Sequence, residues 1–492
     1  MPLTSPTSVP MASGFKPTGE QDDIMAACDQ GGTVVVSALA GTGKTTTLKA
    51  ISARQPMRPG TYLAFNKSIV LAARNSFPGR VNVTTAHSLA YKAIGHQYGH
   101  RLPGNGAPRI SAQRMAAKLK VKAALLDSGT LNPVVLTRMA QATVSKYIKS
   151  DDPEIGATHI PARVIQHHDK DAISEVVLPI ASQIWSDLRS PTGSFFFTHD
   201  VYLKLWALGS PVIPSDYIMF DEAQDSDPVI ASIVARQSAQ TIYVGDRNQA
   251  IYGWRGAIDA MSKVKNAVHL PLTKSFRFGP AIAEAANQWL ELLGSELRVV
   301  GHDPIKSVIG GMEAPRAILC RTNGTALGWV LALQSRGIKT ALAPGDRSAG
   351  KDLERFAWAA RDLMNGEGTD HPDLVGFADW KQLLTFVEEE EDTADLKRLV
   401  GIINRIGVSG VIDAVRSLVP EEQATVTVST AHKAKGLEWD RVRVADDFVP
   451  PDPDDDEDGV DPADLMLAYV TVTRAKLQLD PGALGEPGLW RL

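Results

Sequence analysis

The stretch Ala38-Leu39-Ala40-Gly41-Thr42-Gly43-Lys44-Thr45 constrains this chain more than any other. It follows the β-branched run Thr33-Val34-Val35-Val36 and precedes a helix-like segment through Leu48 and Ala50, so it reads as strand, glycine turn, helix. Gly41 and Gly43 let backbone N–H groups close around phosphates, Lys44 supplies a point charge, and the Thr45 hydroxyl is a candidate magnesium ligand. Ala40, Thr42 and Thr46 complete the candidate phosphate contacts. Ala38 stands where the general pattern opens with glycine, but the Gly-Lys-Thr core that touches phosphate is intact. By itself the turn implies only a nucleoside triphosphatase.

At 492 residues the chain is long enough for roughly three compact units, or one core with large insertions. Its 44% hydrophobic and 22% charged residues are those of a globular protein, and no run of about 18 apolar residues reads as a membrane span. Residues Met1 to Gly14 are rich in Pro, Ser and Thr, with neither a basic nor an apolar signal region, so a disordered tail that directs no secretion is expected. A cytoplasmic protein, bacterial or phage-encoded, is the expectation, a nuclear address staying open. Cys28 and Cys320 are the only cysteines, which excludes a disulfide framework and predicts two free thiols. The formal net charge of −5 excludes a globally basic nucleic-acid coat while leaving room for a local basic groove.

Ahead of the first strand, Thr18 and Gln21 have two readings. The Gln21 amide suits an adenine edge, whereas Thr18 as N-cap with Gln21 three residues on forms a capping box. The next strands, Thr61–Phe65 and Val81–Thr85, end in Asn66-Lys67 and Ala86-His87-Ser88. Ligands bind beyond the carboxyl ends of strands in an open parallel sheet, so Phe65, Asn66, Lys67, Thr85, His87 and Ser88 would share one rim with the phosphate turn. Aromatic, amide and basic groups there suit bases and phosphates, and equally suit ordinary core packing. From about Gly95 to Phe197 the pattern reads as helical, including Leu125-Leu126, with a basic cluster at Arg109, Arg114, Lys118, Lys120 and Lys122 that suits either DNA or solvent.

The strand Asp216–Phe220 delivers Asp221-Glu222-Ala223-Gln224-Asp225, an acidic pair in which Asp221 would hold magnesium and Glu222 orient or deprotonate the attacking water. The strand Thr241–Val244 then delivers Gly245 to Ala257, where Gln249 can sense a γ-phosphate and Tyr252 and Trp254 offer flat faces to unstacked bases. Phe276 beside Arg277 suits a base stack and an arginine finger. A second α/β unit begins at the strand Arg316–Cys320, ending in Arg321, and continues through the mostly helical, polar stretch from Gly345 to Glu422, whose acidic run Glu388–Asp392 reads as a solvated face. The strand Thr425–Ser429 leads to Thr430, His432 and Lys433, candidates for a phosphate backbone, and to Glu438, a candidate ribose acceptor. An acidic loop from Asp452 to Asp461 reads as disordered, and the last strong segment, Leu467–Lys476, presents Arg474 as a candidate second finger.

Taken together, these stretches resemble a superfamily 1 DNA helicase of the UvrD/Rep type, and most of all its F-box DNA helicase branch, over Gln21 to Arg474. The resemblance implies an α/β fold of two RecA-like P-loop lobes with parallel sheets: 15–95 with 200–270, and 271–345 with 423–492. It implies a helical 1B insertion at 96–199 and a reduced 2B-like insertion at 346–422, because only about 150 residues separate Arg277 from Thr430. It also implies ATP and Mg2+ as cofactors, with Gln21 at adenine, Lys44 and Thr45 at phosphate and metal, Asp221 and Glu222 at metal and water, and Gln249 at the γ-phosphate. Phe276 would stack on the base, Glu438 would hold the ribose, and Arg277 and Arg474 would be fingers. Phe65, Asn66, Lys67, Thr85, His87, Tyr252, Trp254, Arg255, Arg321, Thr430, His432 and Lys433 would lie along single-stranded DNA.

Phe276 replaces the family's usual tyrosine and Lys433 a common serine. The Tyr-Gly-Trp-Arg-Gly element resembles the 3′→5′ branch. The implied activity is ATP-dependent helicase or translocase motion on single-stranded DNA and its duplex junctions, in repair, recombination or replication, by a monomer. The rivals are a translocase that strips bound proteins with little unwinding, and a non-motor nucleic-acid-binding regulator.

Overall fold

The computed structural model describes residues 16–106, 109–126, 129–161, 169–253, 256–344, 348–367, 369, 371, 373–374, 377, 379–389, 393–450 and 460–490. The expected tail at 1–14, Trp254 and Arg255, the acidic residues 390–392 and most of the acidic loop after 450 lie outside the described residues. The chain forms two compact units, one comprising residues up to Ala38 with Lys44–Leu272, the other Leu39–Gly43 with Thr273 onward.

In the first unit, β1 (Val34–Ala38), β2 (Gly60–Leu63), β3 (Val81–Thr84), β6 (Tyr217–Phe220), β7 (Gln240–Gly245) and β8 (Val268–Leu272) form a six-stranded sheet in the order β3-β2-β6-β7-β1-β8. Every pairing in it is parallel. Successive side chains of a strand point to opposite faces. Val34, Val36, Tyr62, Met219, Ile242 and Val244 accordingly join one core with Ile24, Leu48 and Ile51, while Val35, Leu63, Ile218, Phe220 and Tyr243 join another on the far face. Burial on both faces is what makes these strands continuous apolar runs.

That second core continues into the helices Pro133–Lys149 and Lys170–Arg189 through Leu136, Val144, Ile173, Val177 and Trp185, so the described helices of the stretch expected as a helical insertion share the sheet's core. It is not wholly helical. Ala124–Leu126 and Gly129–Leu131 pair as an antiparallel hairpin, β4 and β5, which corrects the helical reading of Leu125-Leu126. Leu125 is 82% exposed, so its apolarity marks no buried helix face, and Gly129 at φ +118° takes a backbone region that side chains disfavour. Strand β8 also escapes a sequence reading, because Pro271 lies inside it; the sheet order places it at the edge, where a missing N–H is tolerated.

The second unit repeats the plan. Strands β9 (Val308–Ile309), β10 (Ala317–Cys320), β11 (Thr340–Leu342), β12 (Val426–Thr430), β13 (Trp439–Val444) and β14 (Ala475–Asp480) assemble in the order β11-β12-β10-β13-β14-β9, again with parallel pairings throughout. Ile318, Cys320, Val426 and Val428 share a core with Phe356, Leu363, Val400 and Ile403 from the helices that intervene in sequence. Two parallel sheets of this kind are the architecture of RecA-like P-loop lobes. Both cysteines are buried and free. Among the described residues no helix is long and apolar enough to cross a membrane.

The helix Pro228–Ala235 starts at Asp227, whose carboxylate accepts from Val229 N (2.9 Å). Burial, opposed by that bond and reinforced by the nearby Asp200 carboxylate, raises Asp227 from the usual carboxylate range to about 6, with His87 and Lys149 pulling the other way. A folded-state value above the unfolded one contributes stability that is complete below about pH 4 and lost as pH rises through about 6. Asp227→Asn keeps a good N-cap without a charge to bury. Chemical denaturation across pH 4–8 should show the variant matching wild type at the acid end and exceeding it at neutral pH, by at most about 3 kcal/mol.

Candidate nucleotide and nucleic-acid site

The carboxyl ends of the first sheet's parallel strands lie on one edge, and the sequence-predicted residues of this unit cluster there. Gly41 and Gly43 hold φ of +74° and +79°, which explains why the turn spends glycine at these positions. The Thr42 hydroxyl closes the turn by donating to Leu39 O (2.8 Å). Lys44 Nζ lies 3.2 Å from Glu222 Oε1. Burial works to lower the lysine's proton affinity, but Glu222, Asp221 and Asp246 together outweigh it, so Lys44 stays charged above its ordinary range.

Asp221, 5% exposed, follows directly from β6, and its backbone N–H donates to Leu63 O (3.2 Å). Burial first, and the neighbouring Glu222 second, push its proton affinity up, while Lys44 and a hydrogen bond from Tyr62 hold it down. Glu222 occupies a left-handed conformation (φ +52°), a cost of order 1 kcal/mol or more that non-glycine residues carry mainly at functional sites.

Gln224 ties this acidic corner to the predicted sensor. Its Nε2 donates to Glu222 Oε2 (2.6 Å) and its Oε1 accepts from Asp246 N (3.2 Å), while Asp246 Oδ2 accepts from Gln249 Nε2 (2.6 Å). A Cβ on Gly245 would lie 2.1 Å from Gln224 Oε1, so that glycine leaves room for the link. Sequence reading gave Gln224 no role; its place between Glu222 and a glycine-aspartate strand end was the available signal.

Gln21, 2% exposed, forms the capping box with Thr18, and its amide also donates to Thr47 Oγ1 (3.0 Å). Of its two readings, the local one is built into the structure.

The rim residues divide similarly. Asn66, Thr85 and Thr430 are N-caps, accepting from Ile69, Ser88 and Lys433 N–H groups respectively. Polar strand ends are therefore helix starts. Phe65, 48% exposed, lies parallel to Tyr252 at 6.0 Å between ring centroids, so the structure brings together two aromatics that are far apart in sequence. Lys67 is exposed, and His87 Nε2 lies 3.1 Å from Asp200 Oδ1.

In the second unit, Arg277 Nε donates to Glu438 Oε2 (2.7 Å) and its Nη1 to Thr473 O (3.1 Å). Arg474, 1% exposed, donates to Val470 O, Leu437 O and Thr473 Oγ1, which gathers both candidate fingers and Glu438 around one corner. Phe276 is exposed and tilts against His302 at 5.5 Å. Its N–H donates to Gly41 O (2.8 Å). Arg321 pairs with Asp464 (2.9 Å) and Lys433 with Asp352 (3.6 Å), while His432 is partly buried.

The model of the UvrD/REP helicase N-terminal domain matches residues 214–269, which hold Asp221, Glu222, Gln249 and Tyr252. That of the UvrD-like helicase C-terminal domain matches residues 376–480, which hold Thr430, His432, Lys433, Glu438 and Arg474. The chain is similar to UvrD-like helicases over both matched stretches. Among curated proteins, this chain is 29% identical to F-box DNA helicase 1 of Gallus gallus over 503 residues, covering 94% of this chain and 49% of that one. It is 29% identical over 526 residues to F-box DNA helicase protein 1 of Schizosaccharomyces pombe, covering 97% and 58%. The chain thus spans about half the length of the curated relatives it matches. Both relatives are eukaryotic, and an expected bacterial or phage origin draws no support from them.

Removing the Gln21 side chain deletes one half of a capping box and a buried tie to Thr47. Gln21→Ala should destabilise the protein by about 1–2 kcal/mol in urea denaturation. Discrimination between ATP and GTP, measured beside it, reports the other reading: if Gln21 also meets adenine, it falls together with stability.

Proposed function

We propose that this chain is an ATP-dependent DNA helicase or translocase that moves 3′ to 5′ on single-stranded DNA and at its junctions with duplex, as a monomer, in DNA repair, recombination or replication. The observation that carries the reading is the continuous path from Lys44 through Glu222, Gln224 and Asp246 to Gln249, three residues before one member of the stacked Phe65–Tyr252 pair. The names of both relatives as DNA helicases support DNA as the substrate.

The donor set fits a nucleoside triphosphate with magnesium. Thr45 and Asp221 would hold the metal, which when bound supplies charge neutralisation at the phosphates. Backbone N–H groups from Ala40 to Thr46 and the Lys44 ammonium bind the phosphates. Because Lys44 is the ion-pair partner of Glu222, its engagement with phosphate loosens that pair and leaves the Glu222 carboxylate to orient water and take its proton. Gln249 senses the γ-phosphate through the same hydrogen-bonded path that reaches Glu222. Phe276 stacks on the base, Gln21 meets its edge, Glu438 takes the ribose, and Arg277 and Arg474 neutralise phosphate charge.

On the DNA side, Phe65, Tyr252 and Trp254 stack on bases. Asn66, Lys67, Thr85, His87, Arg255, Arg321, Thr430, His432 and Lys433 serve the phosphate backbone.

The alternative of a translocase that removes bound proteins with little unwinding has one observation in its favour. The described helices Ser348–Met364 and Ala394–Arg416 share their core with the second sheet, which favours a small 2B-like region with limited purchase on duplex. Comparing displacement of a DNA-bound protein with displacement of a strand separates the two.

Single-stranded DNA should stimulate ATP turnover, and Lys44→Ala should lower that turnover by roughly 10²–10³-fold. Unstimulated turnover, or turnover that survives Lys44→Ala, would leave the regulator as the better reading. Phe65→Ala and Tyr252→Ala should each weaken single-strand binding by about 1–3 kcal/mol with little sequence preference. Strand displacement should need a 3′ tail, and a 5′-tail preference would reverse the polarity.

A further inference from the structure

Tyr62 lies in the middle of β2, entirely buried, with its ring stacked on Phe77 at 4.7 Å. It is none of the rim residues, yet its hydroxyl donates to Asp221 Oδ2 at 2.5 Å. A phenol has one proton, and here it goes to the carboxylate.

Asp221 receives one donor on each oxygen, Tyr62 on Oδ2 and its neighbour's backbone N–H, Glu222 N, on Oδ1 (3.0 Å). Two donors on opposite oxygens fix the plane of the carboxylate while leaving a lone pair free on each. The parallel pairing of β2 with β6, with Tyr62 opposite Met219 and Leu63 opposite Phe220, sets the reach.

We propose that Tyr62 is a positioning residue that pre-orients the Asp221 carboxylate, through the proton of its hydroxyl, for the divalent cation accompanying the nucleotide. The inference rests on the nucleotide-site reading above and adds to it a residue outside the phosphate turn and the acidic pair. Partners that orient metal ligands without touching the metal typically contribute 10–100-fold to metal affinity.

Tyr62→Phe removes the hydroxyl and keeps the ring on Phe77. The measurement is anisotropy of a fluorescent ATP analogue, first in EDTA and then through a Mg2+ titration, on wild type, Tyr62→Phe and the packing control Phe77→Leu, with thermal melting of each. The expected result is unchanged binding in EDTA for Tyr62→Phe, with the Mg2+ concentration needed to tighten binding raised about 10–100-fold. Phe77→Leu should lower the melting temperature without moving the Mg2+ midpoint. A Tyr62→Phe midpoint equal to wild type overturns the inference, as does an equal shift in Phe77→Leu or an equal loss of binding in EDTA. A wild-type protein that binds the analogue under neither condition overturns the nucleotide-site reading itself, a result distinct from all of these.

Discussion

Two carboxylates in adjacent positions at the end of a buried strand are an electrostatic liability that one lysine resolves. Asp221 and Glu222 repel each other, and burial adds to the cost of ionising Asp221. Lys44 at 3.2 Å from Glu222 offsets this, and its own charge is sustained by the acids around it. Asp221, the most buried of the three, depends on this compensation most, because an unpaired buried charge costs several kcal/mol. The turn that carries Lys44 and the strand end that carries the acids therefore have to be neighbours, whatever else the sheet does. The sheet order supplies this: β1 and β6 both flank β7.

That constraint explains why so much of the site is made of groups with two duties. A parallel sheet buried on both faces leaves chemistry only at the strand ends, and a strand end that leads into a helix also needs an N-cap. Asn66, Thr85 and Thr430 meet the capping demand, and the role proposed for them at the rim would be a second one for the same side chains. Gln21 caps its own helix and reaches Thr47 on the next. Replacing such residues removes structure and rim chemistry together, so stability has to be measured beside activity to separate them.

What was legible in the sequence was chemistry that a short stretch of backbone carries by itself. The glycines at 41 and 43, the acids after β6 and the capping signature at Thr18 all belong to local geometry, and their spacing is their function. Tyr62 and Gln224 were not legible for the opposite reason. Tyr62 acts on a carboxylate 159 positions away, and a tyrosine inside an apolar strand looks like core, which it also is. Gln224 depends on the room left at Gly245. The hairpin at Ala124–Leu131 was hidden because Leu125 is apolar and yet exposed, and β8 because its proline is harmless only at a sheet edge. Burial, register and edge position are properties of the assembled sheet.

The same assembly governs how far a change at the site is felt. Val35 in β1, two residues after the start of the run that leads into the phosphate turn, lies in one continuous core with Leu136, Val144 and Trp185 of the insertion helices. Its neighbours Val34 and Val36 lie in the other core, with Leu48 of the helix that follows the turn. Strand β1 is thus buried on both faces, and close-packed interiors transmit strain and do not flow. The described insertion helices share the far-face core with the sheet that carries the turn, so a change in their packing bears on that sheet through the core they have in common. Coupling of that kind requires no residue to touch both nucleotide and DNA.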